Sequence, residues 1–412
     1  SAMSPISRIV KRTATVAVVA AAASAAFHPW LSVANEPATS LLEFTDSEMR
    51  SIRGHGPWPV PWTRDPSNRV SGNEQAVLLG ERLFFEQRLS TSGRFSCGSC
   101  HEPERNWTDN ATRGAAIGQM DRNTPTLNNV RLSRWFGWDG GSDSLWSQSI
   151  RPILEPRELG ATPRHVADVM RNDPQLSCHY LKAFGARPST TDDEAVLVDV
   201  GKALAAFQET LMSGRTPFDE FRDALLRGDR GAAARYPDSA QRGLRIFIGK
   251  GGCENCHSGP NFSNGEFHDT GNSHFVEKGR VDPGRHEGIK RVTESRFNLL
   301  GPYNDDPTRA TATSTRHVKL EHRNFGEFKV PTLRNTVLTS PYMHHGEVES
   351  LGQIVRHYSE LDLDRLHADG EQILKPLKLS AREQSDLIVF LESLTNFTMT
   401  WRRNLGDGPY CD

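Results

Sequence analysis

The strongest constraint on this chain is the pattern C-x-x-C-H, which occurs at 97–101 and again at 253–257. In this pattern two thiols lie one turn apart and a histidine follows directly. Each thiol can add to one vinyl group of a haem, and the imidazole then ligates the iron. A zinc knuckle or a thiol redox pair also uses C-x-x-C, but zinc needs further ligands at matching spacing and a redox pair follows a strand of a βαβ unit. Neither context is present, so the sequence predicts two covalent c-type haems.

This interpretation divides the six cysteines into four that attach haem and two that do not. The predicted attachment thiols are Cys97, Cys100, Cys253 and Cys256, and the predicted iron ligands are His101 and His257. Cys178 and Cys411 remain, and a disulfide between them would suit an oxidising compartment. The sequence leaves open whether these two cysteines meet.

The first 34 residues indicate export. After two residues that look like a cloning remnant, a basic segment at 8–12 precedes an alanine-rich apolar run at 13–27. This order is typical of a signal peptide, and the run is too short for a comfortable membrane span. An uncleaved N-terminal anchor is the alternative. We expect cleavage between Ala22 and Ala34, and a periplasmic protein with no stable membrane span in the mature chain.

Helical periodicity precedes both C-x-x-C-H units. Leu79, Leu83 and Phe84 share one helix face before the first unit, and Leu244 and Phe247 do so before the second. The repeated order of helix, glycine-rich turn and C-x-x-C-H indicates a duplication, and alternating strand patterns are few. The sequence therefore predicts a mainly α fold with two cytochrome c-like helical domains, each carrying one covalent haem.

The same patterns give approximate boundaries. We expect an exposed N-terminal lead-in over 35–70, a first domain over 71–213, a second over 214–405 and a C-terminal tail over 406–412. Helices are expected over 163–184 and 192–213, and after the capping boxes Ser350 with Gln353 and Ser380 with Glu383. Residues 258–325 are polar and are expected to form a long looped insertion. A net charge of −2 gives no reason to expect binding to nucleic acid.

The first haem is expected to be open on one side. No histidine lies between His101 and His165, and Met120 is the one familiar soft ligand in that segment. An open iron would admit peroxide. A carboxylate above it, such as Glu158, could take a proton from peroxide and return it to the leaving oxygen. Taken alone, Glu158 is better interpreted as a surface charge, and two haems that are both closed by protein ligands would only transfer electrons.

Two longer segments carry a resemblance. "DRNTPTLNNVRLSRWFGWDGGSDSLWSQSIRPILEPRELG" and "FKVPTLRNTVLTSPYMHHG" resemble the bacterial di-haem cytochrome c peroxidase and MauG family, over about residues 73 to 400. The resemblance implies that Trp138 lies between the haems, and that Gln148, Pro152 and the catalytic Glu158 form the peroxide pocket. It also implies that Asn123, Thr339 and Pro341 bind a calcium ion between the haems. Without the resemblance, Trp138 is better interpreted as a core aromatic and Asn123 as a turn residue.

The chain departs from typical members at two places. Many carry a loop histidine that closes the first haem, and this chain has none there. Typical peroxidases also place a methionine on the second haem, fourteen residues after the His of "PYxHxG"; counting from His344 gives Tyr358. Tyr358 continues the apolar helix face of Leu351, Ile354 and Val355. If it is only a core tyrosine, Met343 or His357 would be the ligand, although His357 lies about 100° round the helix.

The resemblance therefore implies a hydrogen peroxide-dependent oxidoreductase. The oxygen ligand Tyr358 would favour higher oxidation states, so that a bis-ferryl state could form and oxidise side chains of a partner protein, with tryptophan as the expected target. This is the chemistry of the tyrosine-ligated MauG-like and MbnH-like members. The alternatives are a peroxidase that detoxifies hydrogen peroxide with a small electron-donor protein, and an electron-transfer cytochrome without catalysis.

Overall fold

The computed structural model describes residues 40–272, 275–364, 369–370, 372–398, 401 and 411. The predicted export signal lies outside these residues. The described chain is mainly helical, which confirms that part of the fold prediction. Its helices are α1 Asp46–Gly54, α2 Glu74–Phe84, α3 Leu145–Leu154, α4 Pro163–Asn172, α5 Pro174–Phe184, α6 Asp193–Gln208, α7 Pro217–Leu226, α8 Arg230–Ala233, α9 Asp238–Ile248, α10 Arg285–Glu294, α11 Thr313–His317, α12 Leu351–Ser359 and α13 Ala381–Glu392.

Strands are short in the described residues. They are β1 Phe267–His268, β2 Phe275–Glu277, β3 Arg280–Val281 and β4 Phe328–Lys329. β1 pairs antiparallel with β4, and β2 with β3. None of the helices in the described ranges combines the length and apolar character that a bilayer crossing requires.

Local sequence signals determine where several helices begin. The capping boxes predicted at Ser350 and Ser380 are both formed, at the starts of α12 and α13. The single helix expected over 163–184 is two helices, because Asp173 caps α5 with its side chain and Pro174 cannot donate a backbone hydrogen bond to a continuous helix.

The buried apolar residues form two clusters. The first contains residues between 70 and 211, with Leu299 and Ala312. The second contains Ile52 and residues between 218 and 394. Each cluster surrounds the helix that precedes one C-x-x-C-H unit. The domain boundaries stay predictions.

The duplication inferred from the sequence has a structural counterpart at two glycines. α2 packs on α6, and α9 packs on α13. A Cβ at Gly80 of α2 would lie 1.9 Å from the Ala203 carbonyl oxygen, and one at Gly243 of α9 would lie 2.0 Å from the Asp386 carbonyl oxygen. Only glycine allows each helix to approach its neighbour's backbone so closely. Both C-x-x-C-H units thus follow a helix that is held in the same way.

Two segments differ from the prediction. The described part of the lead-in over 35–70 is not exposed throughout, because Ile52 of α1 is buried and Trp58 donates through Nε1 to the Ser213 carbonyl at 3.0 Å. The insertion over 258–325 contains the helices α10 and α11. The sequence concealed α10 because its buried apolar side chains number only two, Ile289 and Val292. Cys178 and Cys411 form a disulfide in the structure, which answers the question that the sequence left open.

Candidate functional site

One cavity of about 610 Å³ touches both C-x-x-C-H units. It is lined by all the residues that the sequence analysis predicted to attach haem, to form the peroxide pocket or to bind calcium, and by the preferred iron ligand of the second haem: Cys97, Cys100, His101, Asn123, Trp138, Gln148, Pro152, Glu158, Cys253, Cys256, His257, Thr339, Pro341 and Tyr358. These residues come from segments as far apart in the chain as 97 and 358. The fold therefore brings them to one place, while the role of each stays a prediction.

The two C-x-x-C-H units have the same backbone shape. Each starts with a 3₁₀ turn, at Cys97–Ser99 and Cys253–Asn255. The backbone N–H of His101 donates to the Cys97 carbonyl at 3.0 Å, and that of His257 to the Cys253 carbonyl at 2.9 Å. Burial raises the pKa of Cys97 and of Cys253 to about 12, so both are protonated thiols in this environment. All four unit cysteines are free of disulfides and available for attachment.

Both histidines are oriented for an iron ligand. The Nδ1 of His101 lies 2.9 Å from the Trp107 carbonyl oxygen, and the Nδ1 of His257 lies 2.9 Å from the Phe262 carbonyl oxygen. A neutral imidazole that donates through Nδ1 keeps its lone pair on Nε2, the atom that binds metal. Burial lowers the pKa of His257 to about 4 and also lowers that of His101, which favours this neutral form. Paired thiols and an Nε2 ligand at both units fit a covalent haem.

Glu158 lies beside the first unit. Its negative charge contributes to the raised pKa of both Cys97 and Cys100. Burial raises the pKa of Glu158 itself to about 7; Arg151 and Arg157 act against this rise, and Glu155 adds to it. A carboxyl group with this pKa can both accept and return a proton near neutral pH.

Gln148 and Pro152 reach the cavity from one face of α3, since they are four residues apart. The Oε1 atom of Gln148 is buried and has no hydrogen-bond partner among the described residues. A buried amide oxygen without a partner is costly unless a bound group or water satisfies it. This atom is therefore a candidate contact for a ligand in the cavity.

Trp138 links segments on both sides of the cavity. Its Nε1 donates to the Asn123 carbonyl at 2.9 Å, and its own carbonyl accepts from the backbone N–H of Lys329 at 2.9 Å. The backbone N–H of Asn123 donates in turn to the His344 carbonyl at 2.8 Å. Across the described residues there is no cluster of three or more His, Cys, Asp or Glu side chains that could hold a metal ion. A cation here would depend on amide and backbone oxygens.

Tyr358 lies beside the second unit. Burial is the main cause of the raised pKa of its hydroxyl, and Cys253 and Cys256 lie close enough to add to that rise when they are ionised. Its neighbour His357 is turned away, because its Nε2 bonds the Thr270 carbonyl at 2.7 Å and it does not line the cavity. Met343 does line the cavity. The geometry thus disfavours His357 and leaves Tyr358 and Met343 as possible ligands.

Comparison with known proteins decides the family. The family model for di-haem cytochrome c peroxidase matches residues 74–229. Methylamine utilization protein MauG of Methylorubrum extorquens is 34% identical over 359 residues, which are 87% of this chain and 88% of that protein. The chain belongs to the di-haem cytochrome c peroxidase and MauG family. It is therefore a haem peroxidase-type oxidoreductase, and the resemblance noted from the sequence is confirmed.

Other members support the same placement of this di-haem peroxidase. Cytochrome-c peroxidase IdrP1 of Pseudomonas sp. strain SCT is 30% identical over 346 residues, 82% of this chain and 85% of that protein. The crystal structure of a MauG-like protein associated with microbial copper homeostasis superposes with a TM-score of 0.61 at 24% identity, and covers 84% of this chain and 97% of that one. This second likeness shows a common fold.

Two charged residues of this di-haem peroxidase, one next to a cavity residue and one in the cavity lining, were missed by the sequence analysis. Asp139 follows Trp138, is fully buried, and pairs with Arg122 at 2.8 Å, Arg291 at 2.5 Å and Arg151 at 3.4 Å. Burial alone would raise its pKa, yet the arginines hold that pKa well below its ordinary value. Its partners are far apart in the chain, so the sequence carries no local signal for it.

Lys329 is the other such residue. It lines the cavity, and its Nζ donates to the Trp135 carbonyl at 3.1 Å. Burial lowers the pKa of Lys329 to about 8. Lys329 lies in β4, which is only two residues long. Because so short a strand has no recognisable sequence pattern, the sequence does not distinguish Lys329 from a solvent-exposed lysine.

Proposed function

We propose that this chain is a periplasmic oxidoreductase that uses hydrogen peroxide to oxidise side chains of a partner protein, with tryptophan as the expected target. The observation that carries the proposal is the single cavity, in which a carboxyl group of pKa about 7 lies beside one C-x-x-C-H unit and a tyrosine lies beside the other. We also propose that each apolar cluster forms one haem domain, over 71–213 and 214–405.

The residues of the chain divide the work. A haem at each unit, joined through the four thiols and ligated by His101 and His257, supplies the iron that exchanges electrons with peroxide and substrate. Glu158 accepts a proton from one oxygen of hydrogen peroxide and returns it to the other, which leaves as water. Gln148 orients the peroxide through its buried Oε1, and Trp138 occupies the space between the two units.

Tyr358 sets the character of the second site. A phenolate oxygen stabilises ferric and higher states of iron, whereas a methionine sulfur stabilises ferrous iron. Within the folded chain, burial opposes loss of the hydroxyl proton, and a cation at the site would reverse this effect. Tyr358 is therefore expected to be deprotonated only when iron is bound.

The proposal is tested by mixing the holoprotein with hydrogen peroxide and candidate partner proteins from the same organism, followed by mass spectrometry of each partner. A peroxide-dependent gain of oxygen on a partner tryptophan is the expected result. Rapid peroxide turnover with a small cytochrome or copper protein, and no change in any partner, would favour the peroxide-detoxifying alternative, the activity named for the relative IdrP1. A holoprotein that does not react with peroxide would be an electron carrier.

The reaction with peroxide is expected to accelerate as the pH rises through about 7. Glu158 has to be deprotonated to accept the proton, and burial raises its pKa to about 7, so the competent fraction grows with pH. The measurement is the initial rate of the spectral change after peroxide is added, between about pH 5 and 9. If the wild-type rate did not change with pH, or if Glu158→Gln kept the same rise in rate near pH 7, Glu158 would not be the proton acceptor.

Replacing Tyr358 by methionine is expected to raise the reduction potential of one haem by on the order of 0.1 V or more, because sulfur favours ferrous iron. The other haem should keep its potential. The measurement is an optical redox titration of the holoprotein. His357→Gln is the matched control, since this neighbour bonds the Thr270 carbonyl and does not itself line the cavity. If both potentials remained unchanged in Tyr358→Met, Met343 would become the candidate ligand.

We also propose a calcium ion held by the Asn123 side chain and the Thr339 and Pro341 carbonyls. All three residues line the cavity, and amide and carbonyl oxygens are ligands that calcium accepts. Chelator-treated holoprotein is expected to bind one calcium ion in a calorimetric titration and to regain its peroxide reactivity. Absence of any calcium-dependent heat would remove this proposal without affecting the others.

A further inference from the structure

An aromatic cluster packs against the first C-x-x-C-H unit. Trp107 provides the carbonyl that accepts from His101, so its backbone touches the predicted iron ligand directly. Its ring is 4% exposed and contacts the rings of Phe84 and Phe207 at centroid distances of 5.8 and 6.1 Å. The third aromatic ring in contact with Trp107 in the described chain is that of Trp401, with a centroid distance of 5.0 Å and an interplanar angle of 76°.

Trp401 connects this cluster to the surface. The residue is partly exposed, and its ring also lies 5.9 Å from the ring of Phe85. Phe85 in turn lies against the first unit, because a Cβ at Gly98, between Cys97 and Cys100, would be 2.5 Å from its ring. Trp401 therefore approaches the first unit by two aromatic contacts, one through Trp107 and one through Phe85.

Two further observations concern the setting of Trp401. Its Nε1, which can only donate, is buried and has no acceptor among the described residues. Ten residues later in the sequence, Cys411 is bonded to Cys178 of α5 and its carbonyl accepts from Gln175 at 3.2 Å. Cys411 is thus covalently tied to α5, which belongs to the same apolar cluster as the helix before the first unit.

We propose that Trp401 is a site of peroxide-dependent self-oxidation, which delivers electrons through Trp107 toward the first haem when no partner supplies them. This inference rests on the proposed function, because it needs a haem that reacts with hydrogen peroxide at the first unit. It adds an electron source within the chain itself. Electrons from Trp401 would reduce excess oxidant in the cavity, and the Trp401 side chain would be oxidised in the process.

The chemistry balances with peroxide as the oxidant. The Trp401 indole loses two electrons and two protons and bonds to the oxygen of one water molecule. The two electrons and two protons reduce one hydrogen peroxide to two water molecules. The net change is one oxygen atom added to the indole and one hydrogen peroxide converted to one water.

Trp62 provides a control within the same molecule. Its side chain is 50% exposed, and no aromatic ring contacts it in the described part of the chain. Direct attack by dissolved peroxide would therefore modify Trp62 at least as readily as Trp401. Oxidation by way of the first haem would modify Trp401 and spare Trp62.

The experiment treats the holoprotein with hydrogen peroxide in isotopically labelled water, without any donor, and maps oxidised tryptophans by peptide mass spectrometry. The expected result is one labelled oxygen on Trp401 and none on Trp62. Trp107→Phe should abolish the Trp401 modification, since it replaces the inner indole while its backbone carbonyl can still accept from His101. Trp62→Phe should leave the modification unchanged. Haem absorbance is compared between variants beforehand.

Three outcomes would overturn the inference: oxidation of Trp62 in preference to Trp401, oxygen derived from peroxide in place of water, or full modification of Trp401 in Trp107→Phe. If Trp107→Phe does not retain haem, the inference is tested with Trp401→Phe and Trp401→Tyr instead. The phenylalanine variant is expected to lose haem absorbance after fewer peroxide additions, and tyrosine, which can also be oxidised, to restore resistance. If the wild type consumes peroxide but Trp401 stays intact, only this inference fails; if it consumes none, the proposed function fails as well.

Discussion

Replacing Glu158 by glutamine lowers the rate of the reaction with hydrogen peroxide by about 10²- to 10⁴-fold, the usual contribution of a positioned general acid–base. Glutamine has nearly the same size, so the shape of the cavity is kept while the exchangeable proton is lost. The measurement is stopped-flow absorbance after mixing the holoprotein with peroxide at a pH above 7, where wild-type Glu158 is mostly deprotonated.

Glu155→Gln is the matched control for this variant. Glu155 lies three residues earlier, pairs with Arg157 at 3.2 Å and does not line the cavity. Its charge adds slightly to the pKa of Glu158, so its loss should shift the pH midpoint down a little and leave the plateau rate unchanged. Equal rates in the two variants would show that Glu158 takes no part in proton transfer.

Replacing Asp139 by asparagine is expected to lower the free energy of unfolding by about 3–5 kcal/mol, because it leaves arginines without their buried anion. Asp139 is fully buried between Arg122, Arg151 and Arg291, and Arg122 alone keeps a second carboxylate, Asp282. The measurement is urea unfolding of the holoprotein. Since Asp139 adjoins Trp138, the same variant should also disturb the centre of the cavity.

Asp121→Asn is the control for Asp139, since it too contacts two arginines, Arg157 at 3.2 Å and Arg280 at 2.9 Å. These groups are solvent-exposed, with 44% and 46% of the two arginine side chains accessible. Exposed pairs contribute roughly 0–1 kcal/mol. If both variants lost a similar free energy of unfolding, burial of the Asp139 cluster would make no extra contribution to stability.

The parts of the site that the sequence predicted are those with a local signature. C-x-x-C-H specifies two thiols and an imidazole within five residues, and the face of α12 follows from four apolar positions in one helix. The same holds for the fold, since capping residues such as Ser350 and Ser380 act on the next turn. Glu158 and Trp138 have no such signature: taken alone they are better interpreted as a surface charge and a core aromatic, and the family resemblance is what favoured their functional roles.

The parts that the sequence could not predict depend on contacts between distant segments. Asp139 takes partners from positions 122, 151 and 291, and Trp401 contacts Trp107 although they lie 294 positions apart in the sequence. The helix α10 was hidden for a related reason. Its Gly288 lies against the backbone carbonyl of Asp139. This helix therefore packs through a glycine, and the sequence lacks the apolar stripe by which a buried helix is usually predicted.

The disulfide between Cys178 and Cys411 bears on the order in which the chain matures. Thiols destined for vinyl groups must stay reduced until each porphyrin has been joined, whereas this pair must lose its hydrogens to an oxidant. Cys178 lies between the two attachment units in the sequence, and its partner Cys411 follows both of them. Oxidation of the polypeptide before haem attachment would allow Cys178 to pair with an attachment thiol, so we expect correct pairing to be most efficient when haem is attached before this disulfide forms.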